Sequence, residues 1–406
     1  MHIPFLSGKK TSDLEKRVKE LEKIVLGGKK PIQTLKKIDK KTLPPLSLLS
    51  IAHNGGNIPY KWLIELSSEQ SSESELPIIL GVNEHGKVMS YDLTKAPHIL
   101  VGGATESGKT LFLVSIITSL LFQKSAEDVR FIIVDPKRIE MPSLLNKLPH
   151  LLTPIIVDAE KALKALRWTI GEMDYRYKKL ASKGIKNIVQ YNQLGGIEKM
   201  PYIVFIIDEL ADLMIFAPRK FEEHIIRLAQ MSRAVGIHLV LSTQRPIREV
   251  FTPMMRANIP TRIAFNVSSK HDSKVILEMA GAEELKEPGD MLFLPHNIPK
   301  PIRVHTPFIT EQEFMSVIKW IVERKPIIKD TEKMIEDEDP IKVSERDPLF
   351  NKALQLVLQF DKASASLLQR RLIVGYARAA QLLDELEEAG IVGPANGSMP
   401  REVLKH

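Results

Sequence analysis

The sequence contains no cysteine, which removes disulfides and thiolate chemistry and agrees with a reducing compartment. It also lacks a long apolar run. Its longest, Leu111 to Phe122, is interrupted by serine and threonine and falls short of the roughly 20 residues that cross a bilayer. No signal-peptide pattern opens the chain, so the expectation is a cytoplasmic protein without a transmembrane segment. Beyond residue 50 there is no charge surplus: residues 1–50 hold 12 Lys/Arg and 5 Asp/Glu, and the rest hold 45 of each, for a net +7. The surplus therefore belongs to an N-terminal tail. Such a tail is either plainly solvated or touches nucleic acid or an anionic lipid surface, which leaves peripheral membrane association open. At 406 residues there is enough chain for a large core and at least one further domain.

What is present is organised around Ile99-Leu-Val-Gly-Gly-Ala-Thr-Glu-Ser-Gly-Lys-Thr110, where an apolar run enters a glycine loop and an apolar helical run leaves it. Gly103, Gly108, Lys109 and Thr110 fit the phosphate-binding pattern G-x-x-x-x-G-K-[ST]. Small residues let successive N–H groups face phosphates, and the helix N-terminus adds its positive end. On this reading Gly103, Ala104, Thr105, Glu106, Ser107, Gly108, Lys109, Thr110 and Leu111 hold ATP. Lys109 neutralises β- and γ-phosphate oxygens, and the Thr110 hydroxyl ligates Mg²⁺. Glu106 is unusual, because it brings a carboxylate near polyanionic phosphates.

Ile203-Val-Phe-Ile-Ile-Asp208-Glu209 is an apolar strand ending in two carboxylates, as a Walker B element requires. Strand alternation keeps both from reaching one metal. Asp208 is therefore the Mg²⁺ residue, and Glu209 polarises the attacking water. Thr243 and Gln244 close the next strand at the same sheet edge, where they either sense the γ-phosphate or satisfy strand-end backbone groups. Asp135, in Val134-Asp-Pro-Lys137, supports the site from another strand end. The set still lacks a cation for charge developing between phosphates, and an arginine from a neighbouring subunit would supply it.

Along the chain, residues 1–45 form a basic tail with an a/d-patterned charged helix over 11–26 (Leu14, Val18, Leu21, Val25), and residues 46–92 read as a small, partly extended adaptor. From 93 to 324, apolar strands alternate with amphipathic helices, which predicts a parallel-rich α/β domain with ligands at the carboxyl ends of the strands. Strands are expected at His98–Val101, Val129–Val134, Tyr202–Ile207, Ile237–Ser242 and Arg262–Asn266, and MLFLP after Pro288-Gly289-Asp290 is expected to be a short terminal strand. Residues 325–346 are charged and aperiodic and read as a linker. The last unit, 347–406, shows three helical patterns and then turn signals, the order of a winged helix.

GGATESGKT, FIIVDPKRIE, PYIVFIIDELADLM, RLAQMSRAVGIHLVLSTQRP and ANIPTRIAFNVSSKHDSKVIL occur in order. Together they resemble the motor domain of the FtsK/SpoIIIE family of double-stranded DNA translocases, over about residues 93–324. The unit from Asp347 resembles the family's γ winged helix, and residues 46–92 stand where a reduced α domain would lie. The resemblance implies a RecA-like P-loop ATPase working as a homohexameric ring around duplex DNA. It puts the trans-acting arginine on Arg233 and the DNA-facing pore positions on Arg245, Arg256, Lys270 and Lys274, and glycine is preferred where Glu106 stands. The base-reading positions of the family's γ domain fall on Ala377, Gln381 and Asp384. Lys362, Arg370, Arg371 and Arg378 are the phosphate-facing cations. Duplex DNA is the implied partner, with a tyrosine recombinase as a second one through the γ-like unit. The alternatives are a related pump for packaging or conjugative transfer, and a DNA-binding adaptor regulated by ATP.

Overall fold

The computed structural model describes residues 43–49, 60–61, 63–65, 74–137, 143–194, 196–324, 349–388, 390–394 and 399–404. The helix expected over 11–26, nearly all of the basic tail and the linker over 325–346 lie outside them. The chain divides into two compact units, Met1–Asp339 and Pro340–His406.

In the first unit, β1 (Pro77–Asn83) and β2 (Val88–Asp92) precede β3 (His98–Gly102), which enters α1 (Lys109–Leu121). There follow β4 (Val129–Val134), α2 (Ala159–Ser182), α3 (Ile188–Asn192), β5 (Tyr202–Ile207), α4 (Leu210–Phe216), α5 (Pro218–Met231) and β6 (Ile237–Thr243). The unit closes with α6 (Pro253–Asn258), β7 (Thr261–Phe265), α7 (Lys270–Leu277), β8 (Asp290–Leu294), β9 (Ile302–His305) and α8 (Glu311–Glu323). Among the described residues these strands form one sheet in the order β2-β1-β9-β8-β7-β3-β6-β5-β4.

The five strands from β7 to β4 are parallel, and every residue of β3, β4, β5 and β6 is buried. Near-continuous apolar runs are what a sheet covered on both faces demands. The register sets Gly102 beside Thr243 and Val134 beside Ile207, so the segments that leave these strands emerge level along one edge.

The other end of the sheet differs from expectation. The strand at 290–294 is not terminal, because β8 lies between β7 and β9 and runs antiparallel to both. Strands β1 and β2, from the segment expected to stand apart as an adaptor, extend the same sheet through β9. The reason lies in α1, which is buried almost all round. Its Ser115 donates to the Ile79 carbonyl (3.2 Å), its Ser119 hydroxyl accepts from the Ile79 N–H (3.0 Å), and the buried Tyr60 donates to the Ser115 carbonyl (2.7 Å). The serines that interrupt this apolar helix thus satisfy polar groups of residues 60–79, which would be costly to bury unpaired. No helix among the described residues is long and apolar enough to cross a membrane.

The second unit contains α9 (Phe350–Val357), β10 (Lys362–Ala363), α10 (Ala365–Leu372), α11 (Tyr376–Glu388) and β11 (Arg401–Glu402). Ser364 caps α10 by accepting from the Leu367 N–H. Ala379, Leu382, Leu383 and Leu386 of α11 are buried against Phe350, Val357 and Leu368, as the helical spacing predicts. The antiparallel β10–β11 pair completes a winged helix in which α10 and α11 are the helix-turn-helix.

Candidate active site

Residues 103–108 turn from β3 into α1 around a scaffold that only glycine permits at two points. Gly108 has φ 104°, and a Cβ there would sit 2.5 Å from the Gly289 nitrogen. A Cβ on Gly103 would sit 2.6 Å from the Phe265 Cβ and 2.7 Å from the Ser107 Oγ. The loop is pinned from outside: Ala104 N–H donates to the Asn266 carbonyl (2.8 Å), and the Gly289 N–H donates to the Ser107 carbonyl (2.9 Å). The Ser107 hydroxyl is buried without a hydrogen-bond partner. A narrow glycine turn with an unused buried hydroxyl, at the start of a 13-residue helix, fits phosphate oxygens. Glu106 holds φ 62°, the left-handed region, which accounts for a glycine preference at this position. Its side chain is exposed rather than turned into the loop.

Lys109 is buried, and its ammonium donates to the Asp208 carbonyl (3.1 Å) and to Asp208 Oδ1 (3.3 Å). Asp208 is also buried, so the two charges compensate each other where either alone would carry a large desolvation penalty. A carboxylate oxygen and the neighbouring Thr110 hydroxyl are hard donors, too few for a protein-only cage. They suit a Mg²⁺ ion that keeps waters and phosphate oxygens in its shell.

Glu209 caps α4, its Oε1 accepting from the Ala211 N–H (3.3 Å) and from the Thr243 hydroxyl (2.5 Å). Its Oε2 accepts from the Gln244 N–H (3.1 Å) and from the Lys137 ammonium (3.2 Å). Gln244 in turn accepts from the Thr105 hydroxyl through Oε1 (3.1 Å), which joins the end of β6 to the glycine loop. Asp135 is buried, and its Oδ1 accepts from the Lys137 N–H. The structure therefore brings Lys109, Asp208, Glu209, Gln244 and Asp135 to one edge. Sequence reasoning missed Lys137, which sits in the quoted Val134-Asp-Pro-Lys137 but belongs to no motif spacing.

Arg233 lies elsewhere. It is exposed on the turn Ser232–Val235 that precedes β6, at the opposite edge of the sheet. The seven residues of β6, at about 3.3 Å each, separate it from Gln244 by roughly 20 Å. The fully buried Arg176 of α2 fixes that turn by donating to the Val235 carbonyl (2.9 Å). Two buried histidines begin the strands at this edge. Burial, with the neighbouring Arg233 charge in the same direction, lowers the pKa of His98 to about 3 and of His238 to about 4.

Of the four positions compared with pore residues, Arg245, Lys270 and Lys274 are exposed, on segments that follow β6 and β7. Arg256 departs from that expectation. It sits on α6 with its side chain 15 % exposed, 3.6 Å from Glu278, which also pairs with the buried Arg262 at 3.2 Å.

In the winged helix, Arg370, Arg371, Arg378 and Lys362 are exposed. Gln381 donates to Glu385 (3.1 Å), and Arg401 on the wing grips Asp384 and Glu387 at 2.6 Å each. Arg401 is a second residue that sequence reasoning missed.

The FtsK/SpoIIIE family profile matches residues 63–247, and the profile of its gamma domain matches residues 344–406. DNA translocase FtsK of Clostridium tetani is 44% identical over 352 residues, covering 85% of this chain and 47% of that protein. The chain belongs to the FtsK/SpoIIIE family. DNA translocase SpoIIIE of Bacillus subtilis is likewise 43% identical over 86% of this chain and 45% of its own length, so the chain spans about half the length of these relatives. Among solved structures, the pCW3 conjugation coupling protein TcpA with ATPγS superposes with a TM-score of 0.55 at 28% identity, over 62% of this chain and 72% of TcpA. The cytoplasmic domain of EccC, a type VII secretion ATPase of Thermomonospora curvata, gives 0.55 at 22% identity over 64% of this chain and 32% of its own. The first unit is thus a RecA-like P-loop NTPase fold, followed by the family's winged helix.

Proposed function

We propose that this chain is the motor of an ATP-driven translocase on double-stranded DNA, working in the cytoplasm as a homohexameric ring. The observation that carries the reading is the buried Lys109–Asp208 pair against the glycine loop, with Glu209 beside it and exposed Arg245 and Lys270 leaving the same sheet edge. Lys109 and the loop N–H groups bind the ATP phosphates, and Thr110 with Asp208 holds Mg²⁺, which when bound neutralises phosphate charge. Glu209 orients a water and accepts its proton, and Gln244 reports the state of the loop through Thr105. Arg233, too far from its own loop to serve it, acts on the neighbouring subunit's nucleotide. Arg245, Lys270 and Lys274 contact DNA phosphates without reading sequence. The winged helix docks on duplex DNA or on a tyrosine recombinase, and the basic N-terminus leaves peripheral membrane association open.

The likeness to TcpA, a conjugation coupling protein, favours a second reading as a conjugative pump. The gamma-domain match weighs against it, and an ATP-regulated adaptor would have no need of Glu209. ATP turnover with and without long linear duplex tests the function. Strong stimulation by duplex of any sequence is expected, and hydrolysis indifferent to DNA contradicts the proposal.

A further inference from the structure

Glu209 has no room for a water's proton in the arrangement seen here. An ionised carboxylate offers about four lone-pair positions. Four donors fill them: the Thr243 hydroxyl and Ala211 N–H on Oε1, the Lys137 ammonium and Gln244 N–H on Oε2. At least one donor must leave before this carboxylate can work as a base. Ala211 N–H belongs to the cap of α4, and Thr243 and Gln244 are fixed to the end of a buried strand. Lys137 differs: its side chain is 31% exposed on a flexible four-carbon stem, whereas that of Glu209 is 2% exposed. It is the donor that can depart into solvent.

The same cluster is wired to a candidate DNA contact. The Arg245 N–H donates to the Thr243 hydroxyl (3.0 Å), the hydroxyl that itself donates to Glu209. Gln244 stands between them, with its N–H on Glu209 and its side chain on Thr105 of the glycine loop. A small shift of Arg245 toward a phosphate therefore moves the Glu209 carboxylate, through the Thr243 hydroxyl and Gln244 N–H that stay bound to it, away from the Lys137 ammonium.

We infer that Lys137 is a positioning residue that locks Glu209 out of use in the DNA-free protein, the lock opening when Arg245 engages duplex DNA. The inference rests on the reading of Glu209 as the water-orienting carboxylate. Nothing in the lock requires a change of fold, only the loss of one ion pair and a small displacement of the turn at 243–245.

The test compares the full chain with Lys137→Ala and Lys137→Arg, measuring ATP turnover with and without long linear duplex at fixed salt, and hydrogen exchange at the Ala211 and Gln244 amides. Lys137→Ala should raise the DNA-free kcat by roughly 10-fold, the size of one charge-assisted hydrogen bond, and leave KM for ATP unchanged. Its stimulation by DNA should shrink in proportion, and Lys137→Arg should restore the wild-type pattern. The two amides should exchange faster in wild type when duplex is added, and already fast in Lys137→Ala without it. A DNA-free kcat that is unchanged or lower, with wild type still stimulated by DNA, overturns the lock. A raised KM for ATP also overturns it, by making Lys137 a nucleotide ligand. If wild type hydrolyses no ATP in either condition, the proposed function fails first and takes the lock with it.

Discussion

Lys109 pairs with Asp208 and Glu209 follows Asp208 in the chain, and the proposed mechanism assigns the two to different stages of one reaction. Lys109 is a ground-state cation, already desolvated and poised by Asp208 at 3.3 Å. Glu209, which accepts from Lys137, Ala211, Thr243 and Gln244, is the residue proposed to act on a water. Lys109→Ala should therefore abolish nucleotide binding, while Glu209→Gln binds ATP normally and stops turnover. Fluorescent-nucleotide titration beside a phosphate-release assay separates the two, and equal loss of binding in both variants removes Glu209 from its role. The sequence made these two residues legible because each belongs to a spacing that chemistry dictates, a lysine after a glycine turn and an acid pair after a buried strand. Lys137 and Arg401 were not legible, since a single cation near a strand end looks like solvated charge until the fold sets it against Glu209 or Asp384. Glu106 was legible only as an oddity. Its positive φ and exposed side chain explain both the expected glycine and the tolerance of a carboxylate.

At the scale of elements, the parallel strands announced themselves as apolar runs, while β9, with only Val304 of its four residues buried, carries no such signal. The place of β1 was hidden for another reason: it depends on serines of α1 bonding to Ile79, a partnership that no local pattern encodes. Helix α7 carries Lys270 and Lys274 one turn apart and exposed, with Ser269 as its cap. Replacing both lysines by alanine should weaken DNA-stimulated ATPase on all sequences alike and lower the salt dependence of DNA binding, as lost phosphate contacts do. A defect confined to certain sequences would make them base readers instead. The buried histidines predict a second behaviour. Burial holds His98, His150 and His238 neutral in the folded protein, with pKa values lowered to about 3, 4 and 4, whereas in the unfolded chain they titrate near 6.5. The unfolded state thus binds more protons below pH 6.5, and stability falls as pH falls toward 4. At pH 5 each histidine should cost about 2 kcal/mol. Urea midpoints at pH 7 and pH 5 check this, and equal midpoints contradict it.

At the scale of the whole molecule, composition marked the division into two units, because the charged, aperiodic stretch before residue 347 separates two independently patterned cores. In the winged helix, Gln381 and Asp384 stand at positions compared with base readers, yet Glu385 and Arg401 already occupy them. Contacts worth about 1–3 kcal/mol of discrimination each are therefore altered, while Arg370, Arg371 and Arg378 stay exposed for phosphates. Residues 347–406 should bind duplex DNA without strongly preferring the short GC-rich sequence that the resemblance to the family's γ domain implies. A titration against that sequence and a scrambled duplex at matched salt checks it, and a hundredfold preference, roughly 2.7 kcal/mol, contradicts it. The proposed function requires movement along duplex and not ATP turnover alone. The most direct measurement is displacement of a third-strand oligonucleotide from a long duplex by the full chain with Mg²⁺ and ATP. Displacement that requires hydrolysable ATP, and that vanishes in Glu209→Gln while ATP binding persists, is the predicted result. DNA-stimulated hydrolysis by wild type with no displacement would contradict translocation.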